Sequence, residues 1–421
     1  MPYSSGAERL SHAVPPHDRL NAADDDAKRR LATASGGAAR IVYFAPDFTE
    51  VATIARARAF QDHGFRPAVF AFRRRRYNCA FKAPWPEIEL GRTRDGRYLQ
   101  RAIALCRAIP VLWGSRRLLR QASVFYARNL DQLALALLAR RLAGRPTLAV
   151  YEVLDVAPAL THPGRLGRLM RHIEHRLLRR VGLLVVSSPG FLKHYYRPTQ
   201  GYRGRTFLLE NKLYPAGAAA LVPVPPPALD SRRSHHRWVV GCFGLIRGQK
   251  TFDLITRLAE RLAGEVLFYF RGVVTTVDAD RFAAAIARHD NMVYGGAYVN
   301  PDDLPRLYGA VDFVWTLDLE HEDANSRWLM PCRFYEAGAH GVPCLAARRF
   351  EVGDRVEALG VGWTFEPPYE DAIARFLNGL SRADYDRVRQ RLAELPRATF
   401  VAGDDVAALC RLLESRAADP P

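Results

Sequence analysis

"IVYFAPDFTEVATIARARAFQDHGFRPAVFAF", residues 41–72, holds one complete unit of the fold. Ile41 to Ala45 form a continuous apolar run, as a strand buried on both faces requires. A helical stretch from about Val51 to His63 follows and stops at Gly64, a common helix terminator. A second apolar run, "PAVFAF" at 67–72, then returns. Short apolar runs alternating with amphipathic segments are how a parallel sheet with crossover helices is written in sequence.

The same alternation continues outward. "SVFYA" (123–127), "TLAVYEV" (147–153) and "GLLVVSS" (182–188) read as further strands, with helical segments such as "LDQLALALLARRLAG" (130–144) between them. It breaks in "YPAGAAALVPVPPPALDSRRSHHR" (214–237), where five prolines without an apolar period predict a linker. A second series follows: "WVVGCFG" (238–244), a helix from about Thr251 to Ala263, "EVLFYFRG" (265–272), "MVYGG" (292–296), "DFVWTL" (312–317), "VPCLA" (342–346) and "VGWTF" (361–365). The prediction is an α/β protein of two Rossmann-like doubly wound domains facing a cleft. The parts are a disordered tail at 1–38, a first Rossmann-like domain at 39–213, the linker at 214–237, a second Rossmann-like domain at 238–400 and a C-terminal helix and tail at 401–421, for which the first domain is one of the docking places open.

At 421 residues the chain is too long for one ordinary core, which agrees with two domains. Sixty-one Lys+Arg against 44 Asp+Glu leave a net charge of +17, so an anionic partner is favoured: nucleic acid, an acidic membrane face or a phosphorylated small molecule. Cys79, Cys106, Cys242, Cys332, Cys344 and Cys410 are scattered without a CxxC pair, which suits reduced thiols in a cytoplasmic protein and gives no metal site. No signal pattern and no apolar stretch near the roughly 18–20 residues of a membrane span is present, so a soluble or peripheral protein is expected.

Two stretches carry chemistry. In "GCFGLIRGQKTFDLI" (241–255) a strand runs into a loop whose glycines, Gly244 and Gly248, let the backbone approach a ligand, with Arg247 and Lys250 beside the next helix N-terminus. That favours a diphosphate or, more plainly, a solvated turn. In "DANSRWLMPCRFYEAGAHGVP" (323–343) a helix begins at Pro331 and stops at Gly341, with Arg333 and Glu336 three apart on one face. A carboxylate there can accept hydrogen bonds from two vicinal hydroxyls, or it can be half of a surface ion pair.

The order Asn325, four residues, Met330, Pro331, one residue, Arg333, Phe334, Tyr335, Glu336, then "AGAHGVPCLA", resembles the nucleotide-binding motif of GT-B glycosyltransferases in the large retaining group that contains family 4. "GLIRGQKTFDLI" is similar to that group's phosphate loop. "YEVLDVAPAL" (151–160), "RHIEHRLLRRVGLLVVSSPGF" (171–191) and "FLLENKLYP" (207–215) recur in the group's order in the first domain. The resemblance implies that Glu336 holds the ribose of a nucleotide-sugar, that Arg247 and Lys250 neutralise its diphosphate, and that Gly244, Asn325, Arg333 and Tyr335 belong to the donor site. It implies no cofactor and no metal, since protein cations stabilise the leaving group. Eight positions before the ribose-binding glutamate, where many members have a second one, this chain has Trp328. Glu322, Asp323 and Asn325 are then the candidates for the donor sugar.

Asp155, at the end of a first-domain strand, is the leading catalytic candidate, as a general base, as an acceptor-orienting group or as a simple cap; Glu152 and His162 are further candidates. Asp47, Thr49 and Glu50 start the first crossover helix at the cleft and are read as acceptor-binding. Arg73, Arg74, Arg75 and Arg76 follow the second strand and suit anionic lipid headgroups as well as a solvated surface. The functional expectation is transfer of a sugar from a nucleoside diphosphate donor to a growing, lipid-linked glycan on the cytoplasmic face of the membrane, in polysaccharide assembly. Its rivals are a nucleotide-sugar epimerase, a non-catalytic relative and a nucleic-acid-binding protein. The last lacks any recognised motif and any interleaving of aromatics with cations, so no nucleic-acid partner is expected.

Overall fold

The computed structural model describes residues 39–73, 81–92, 98–215, 229 and 232–418. The tail read at 1–38, most of the Pro-rich stretch, and Arg74, Arg75 and Arg76 lie outside them.

In the first half, strands β1 (Arg40–Ala45), β2 (Arg66–Arg73), β3 (Glu87–Arg92), β4 (Ala122–Arg128), β5 (Leu148–Val153), β6 (Leu183–Val186) and β7 (Thr206–Leu208) form one sheet in the order β3-β2-β1-β4-β5-β6-β7. Every pairing in it is parallel. Alternate residues of β1 face opposite cores, which is why its whole run is apolar. Ile41 and Tyr43 pack under helix α1 (Val51–Asp62). Val42 and Phe44 pack under a layer made by α2 (Tyr98–Gly114), α3 (Leu130–Ala143) and α4 (Arg165–Leu178).

The second half repeats the plan with β8 (Trp238–Ile246), α5 (Gln249–Arg261), β9 (Val266–Val274), β10 (Met292–Tyr294), β11 (Phe313–Trp315), α6 (Cys332–Ala339), β12 (Cys344–Ala347) and β13 (Gly362–Phe365). Its sheet order is β10-β9-β8-β11-β12-β13, again wholly parallel. The doubly wound α/β reading therefore holds in both halves. Strands β3 and β7 escaped the sequence reading because both are sheet edges: "EIELGR" carries charge, and "TFL" is three residues long. Pro331 is the residue before α6 rather than inside its first turn.

Strand order reverses between β1 and β4 in one sheet and between β8 and β11 in the other. Crevices open at the carboxyl ends of the strands at these points, and ligands bind there in open α/β sheets.

Several contacts join the halves. Leu213 donates its N–H to the Phe400 carbonyl at 3.0 Å and accepts from Ala402 at 2.7 Å, so the two crossing segments run side by side. Helix α7 (Asp405–Ala418) returns to the first sheet, burying Leu409 and Leu413 in the α1-side core. Trp328 and Leu329, from the second half, pack into the opposite core of the first.

Candidate active site

Strand β8 delivers Arg247 to the second domain's switch point. Gly248, with φ +80°, makes the turn into α5, a conformation that side chains with a Cβ rarely adopt. Across the crevice, the loop after β11 supplies Asp318, whose Oδ2 accepts from Arg247 Nε at 3.0 Å and Nη2 at 2.7 Å; Glu320 lies 3.6 Å from the same guanidinium. Burial alone would push the Asp318 carboxyl up, but Arg247 and the Glu320 N–H hold it below its ordinary value. Lys250, the second residue of α5 and 69 % exposed, meets Glu322 at 2.6 Å. Arg333 lines the recess that Arg247 and Asp318 share and donates to the Trp315 carbonyl at 3.2 Å. Two of these three cations are held in place by carboxylates.

Glu336 is buried in α6, three residues on from Arg333. One carboxylate oxygen accepts from Tyr308 Oη at 2.6 Å and the other from Asn300 Nδ2 at 3.2 Å. Burial raises its proton affinity, and these two donors with Arg333 oppose the rise. Arg333 and Glu336 are not an ion pair: the guanidinium turns to the β11 carbonyl instead. Tyr335 departs from the expected donor site. Its hydroxyl donates to Glu210 at 2.9 Å, which also receives Arg355 at 2.7 Å, so the ring ties the segment leaving the first domain to the second. Adjacent helix residues point about 100° apart, and Tyr335 cannot share the face that Glu336 occupies.

Asn325 crosses the cleft. Its Oδ1 accepts from the Val156 N–H at 2.8 Å, and its Nδ2 donates to Asp155 Oδ1 at 3.0 Å. Asp155 lies open to cleft water but deep between the domains, and this setting pushes its carboxyl up. The hydrogen bond from Asn325 and the charge of Arg247 act against that shift, while Asp318 and Glu50 add to it. The leading catalytic candidate and the phosphate-loop arginine are therefore electrostatic neighbours. Three residues beyond Asn325, Trp328 stacks on His194 and Tyr195 with ring centroids 6.2 and 6.3 Å away. Its carbonyl accepts from Ser188 and sits 2.4 Å from where a Cβ on Gly190 would be, so only glycine fits there. In place of the glutamate that the family pattern leads one to expect, the chain has a bolt between its domains. Glu322 and Asp323 remain on the rim, Asp323 exposed and adding to the field at Lys250.

On the first domain the outcome is mixed. Asp47 accepts from both the N–H and the hydroxyl of Thr49 at 3.1 Å, a local turn that shapes the α1 entrance. Glu50, at that entrance, receives Arg128 and Thr53. Glu152 is not a cleft residue. It is 2 % exposed and paired with Arg56 at 2.6 Å beneath α1, because alternation along β5 turns it away from the mouth that Asp155 occupies beyond the strand end. His162 caps the Gly164 N–H at 3.0 Å on the surface. Arg73 is engaged by Glu89 at 3.1 Å and Glu87 at 3.6 Å on the neighbouring edge strand, so it is not a free cation. Sequence reading missed Asp318 and Glu320. Their signal was present: two acids directly after a strand at the switch point, opposite a basic loop.

Comparison with known proteins fits this geometry. The chain is 31 % identical to the succinoglycan biosynthesis protein ExoL of Rhizobium meliloti (strain 1021) over 91 % of its own length and 95 % of that protein's. The chain belongs to the ExoL family. Among solved structures, Anabaena HepE in complex with UDP and glucose aligns with TM-score 0.66 and 18 % identity, covering 90 % of this chain and all of HepE. WaaG, a glycosyltransferase involved in lipopolysaccharide biosynthesis, aligns at 0.60 and 14 %, covering 89 % of this chain and 99 % of WaaG. This ExoL relative has the GT-B glycosyltransferase fold. A family model described as "Putative Immunity protein 75" matches residues 14–76, a stretch that ends just past β2 and includes no part of the second half.

Proposed function

We propose that the chain is a glycosyltransferase of polysaccharide biosynthesis that moves a sugar from a nucleoside diphosphate donor to a lipid-linked glycan. The observation that carries this reading is the facing of Arg247 and Asp155 across a cleft in a chain that aligns with ExoL over nearly its whole length. The donor's diphosphate takes the place of Asp318 and Glu322 against Arg247 and Lys250, and the α5 N-terminus adds its partial positive charge. Charge that develops on the leaving group is met by these groups rather than by a metal ion. Glu336, held by Tyr308 and Asn300, receives the ribose hydroxyls by exchanging one of those donors.

Asp155 stands on the acceptor side. Its raised proton affinity suits a group that takes a proton from, or orients, an acceptor hydroxyl, and Asn325 fixes the carboxylate so that one oxygen is left for that task. Asp47, Thr49 and Glu50 line the acceptor entrance. Among the described residues no helix is long and apolar enough to cross a membrane. In this reading the lipid-linked acceptor is met at the cytoplasmic face by a peripheral protein. The test is thermal-shift screening against UDP-, GDP-, TDP- and CMP-sugars, followed by transfer to a polyprenyl diphosphate glycan with and without EDTA. A donor that raises the melting temperature and is consumed only when acceptor is present supports the reading. Consumption without acceptor, or dependence on added metal, breaks it.

A further inference from the structure

The layer of α2, α3 and α4 on the first domain has a composition that the transfer reaction does not use. Residues 98–182 contain fifteen arginines and only four acids, Asp131, Glu152, Asp155 and Glu174. Glu152 and Glu174 are buried and Asp155 faces the cleft, which leaves Asp131 at the start of α3. Between the C-terminal ends of α3 and α4 lies a recess of about 910 Å³ lined by Arg140, Arg141, Arg145, Arg179 and Arg180. Among the described residues none of these five meets a carboxylate; Arg140 and Arg145 donate only to the backbone carbonyls of Thr147 and Arg120, at 3.3 and 3.2 Å. The buried hydroxyl of Thr147, also in the lining, has no partner. Burial and the nearby Arg180 together lower the proton affinity of Arg140, the mark of cations crowded without an anion.

Apolar groups stand out of the same layer. Leu166, Leu169 and Ile173 are spaced along one face of α4 and are 55, 55 and 39 % exposed. Arg165, Arg168, His172 and Arg176 flank them. On α2, Ile103 and Trp113 are 53 and 58 % exposed, with the Arg116 guanidinium 5.5 Å from the Trp113 ring. Leucine and isoleucine projecting between arginines, beside a basic recess walled by Leu137, Leu138 and Leu177, match the layered chemistry of a bilayer surface: phosphate outside, acyl chains beneath. A nucleic acid would leave those aliphatic side chains in water.

We propose that the α2–α3–α4 face docks on an anionic phospholipid surface, with lipid phosphates in the five-arginine recess and Leu166, Leu169, Ile173 and Trp113 inserted among the headgroups. This deepens the reading of a membrane-side acceptor and rests on it. It also moves the contact from the arginine run after β2, where Arg73 is paired, to a different surface. The arrangement has a geometric consequence. Arg171 donates to the carbonyls of Leu160 and His162 at 2.8 and 2.9 Å, so the segment running from Asp155 is fastened to α4. A membrane against α4 therefore lies beside the cleft mouth, and an acceptor carried on a lipid reaches Asp155 without leaving the bilayer.

The test is sedimentation of the full chain with vesicles of phosphatidylcholine alone and of phosphatidylcholine containing phosphatidylglycerol. Wild type is expected to partition onto the anionic vesicles only, and less so as salt is raised. The pairs Arg179→Glu with Arg180→Glu, and Leu166→Ser with Leu169→Ser, each weaken partitioning by about tenfold or more, given roughly 1 kcal/mol for each basic residue at the surface. All four side chains are exposed, and an unchanged melting temperature shows that the variants fold. Partitioning within twofold of wild type in both variants overturns the assignment, as does partitioning onto neutral vesicles alone. Stabilisation by inorganic pyrophosphate without vesicle binding overturns it in favour of a soluble anion, and salt-sensitive oligonucleotide binding lost in the arginine variant overturns it in favour of nucleic acid. A wild type that binds vesicles but shows no thermal shift with any nucleotide-sugar breaks the transfer reading and leaves the docking face standing.

Discussion

The loop after β8 in the second domain and the helical layer of the first are both basic, but they are built in opposite ways. In the second domain cations come with counter-ions: Arg247 with Asp318, Lys250 with Glu322, Arg257 with Glu370, Arg261 with Asp371. In the first, Arg140, Arg141, Arg145, Arg179 and Arg180 have none among the described residues. A paired guanidinium is already aimed and exchanges one anion for another with little reorganisation, which suits a leaving group that must be held in one geometry. Unpaired arginines are mobile and mutually repelled, and they suit a surface with many equivalent phosphates. Net charge alone does not separate the two, because +17 sums both.

The sharpest break of this contrast is at Arg247. Arg247→Ala is expected to lower turnover on the order of a hundredfold or more, the cost of losing one preorganised donor at about 3–4 kcal/mol, while vesicle binding stays unchanged. Steady-state kinetics beside vesicle sedimentation decides it, and near-normal turnover removes the phosphate assignment. Trp328→Ala tests whether the domains are bolted as described. It is expected to cost about 2–3 kcal/mol in denaturant unfolding, less than the 3–5 of a fully buried tryptophan because the ring is only partly covered. A change near zero would mean that its stacking on His194 and Tyr195 contributes nothing.

Asp318 sharpens the contrast through pH. Its folded carboxyl is held below the ordinary value, so the stability it contributes is present above the unfolded range near pH 4 and is lost as pH falls through the lower folded value. Asp318→Asn should therefore flatten the acid limb of the stability curve below about pH 4, read by thermal melts, and leave the curve at higher pH parallel to wild type. Asp155 has the opposite sign. Its raised carboxyl keeps its proton to higher pH in the folded state, and Asn325→Ala removes the hydrogen bond that lowers it. The acid limb of the rate–pH profile is expected to move to higher pH in that variant; an unmoved limb would take the base role from Asp155. The smallest effect belongs to Lys250→Ala. Its side chain is 69 % exposed, so about a tenfold loss of kcat/KM is expected, below that of Arg247, because solvent screens an exposed charge.

The legibility of the chain follows the same physics. Eleven of the thirteen strands among the described residues are legible as apolar runs, the buried central ones such as β1, β4 and β8 most plainly, whereas the two that are not, β3 and β7, are edge strands, one carrying charge and the other three residues long. The basic loop at the second switch point was legible because a glycine turn and cations at a helix start are local features. Tyr335 and Glu152 were not, because period and spacing say which face a side chain shares but not what another part of the chain brings to that face. Trp328 was visible as a departure, but its partners His194 and Tyr195 lie more than a hundred residues earlier.

By itself the sequence determined the two parallel sheets, the basic loop at the second switch point and the cleft between the domains, since each depends on patterns within a few tens of residues. Only the tertiary structure decided which charges are spent on each other. It paired Arg247 with Asp318 and Arg73 with Glu89, buried Glu152 against Arg56, set Asn325 on Asp155 across the cleft and left Arg140, Arg141, Arg145, Arg179 and Arg180 without a carboxylate among the described residues. The physical reason is that an ion pair or a cross-domain hydrogen bond is fixed by distance in space, and chains of very different spacing bring the same groups within 3 Å.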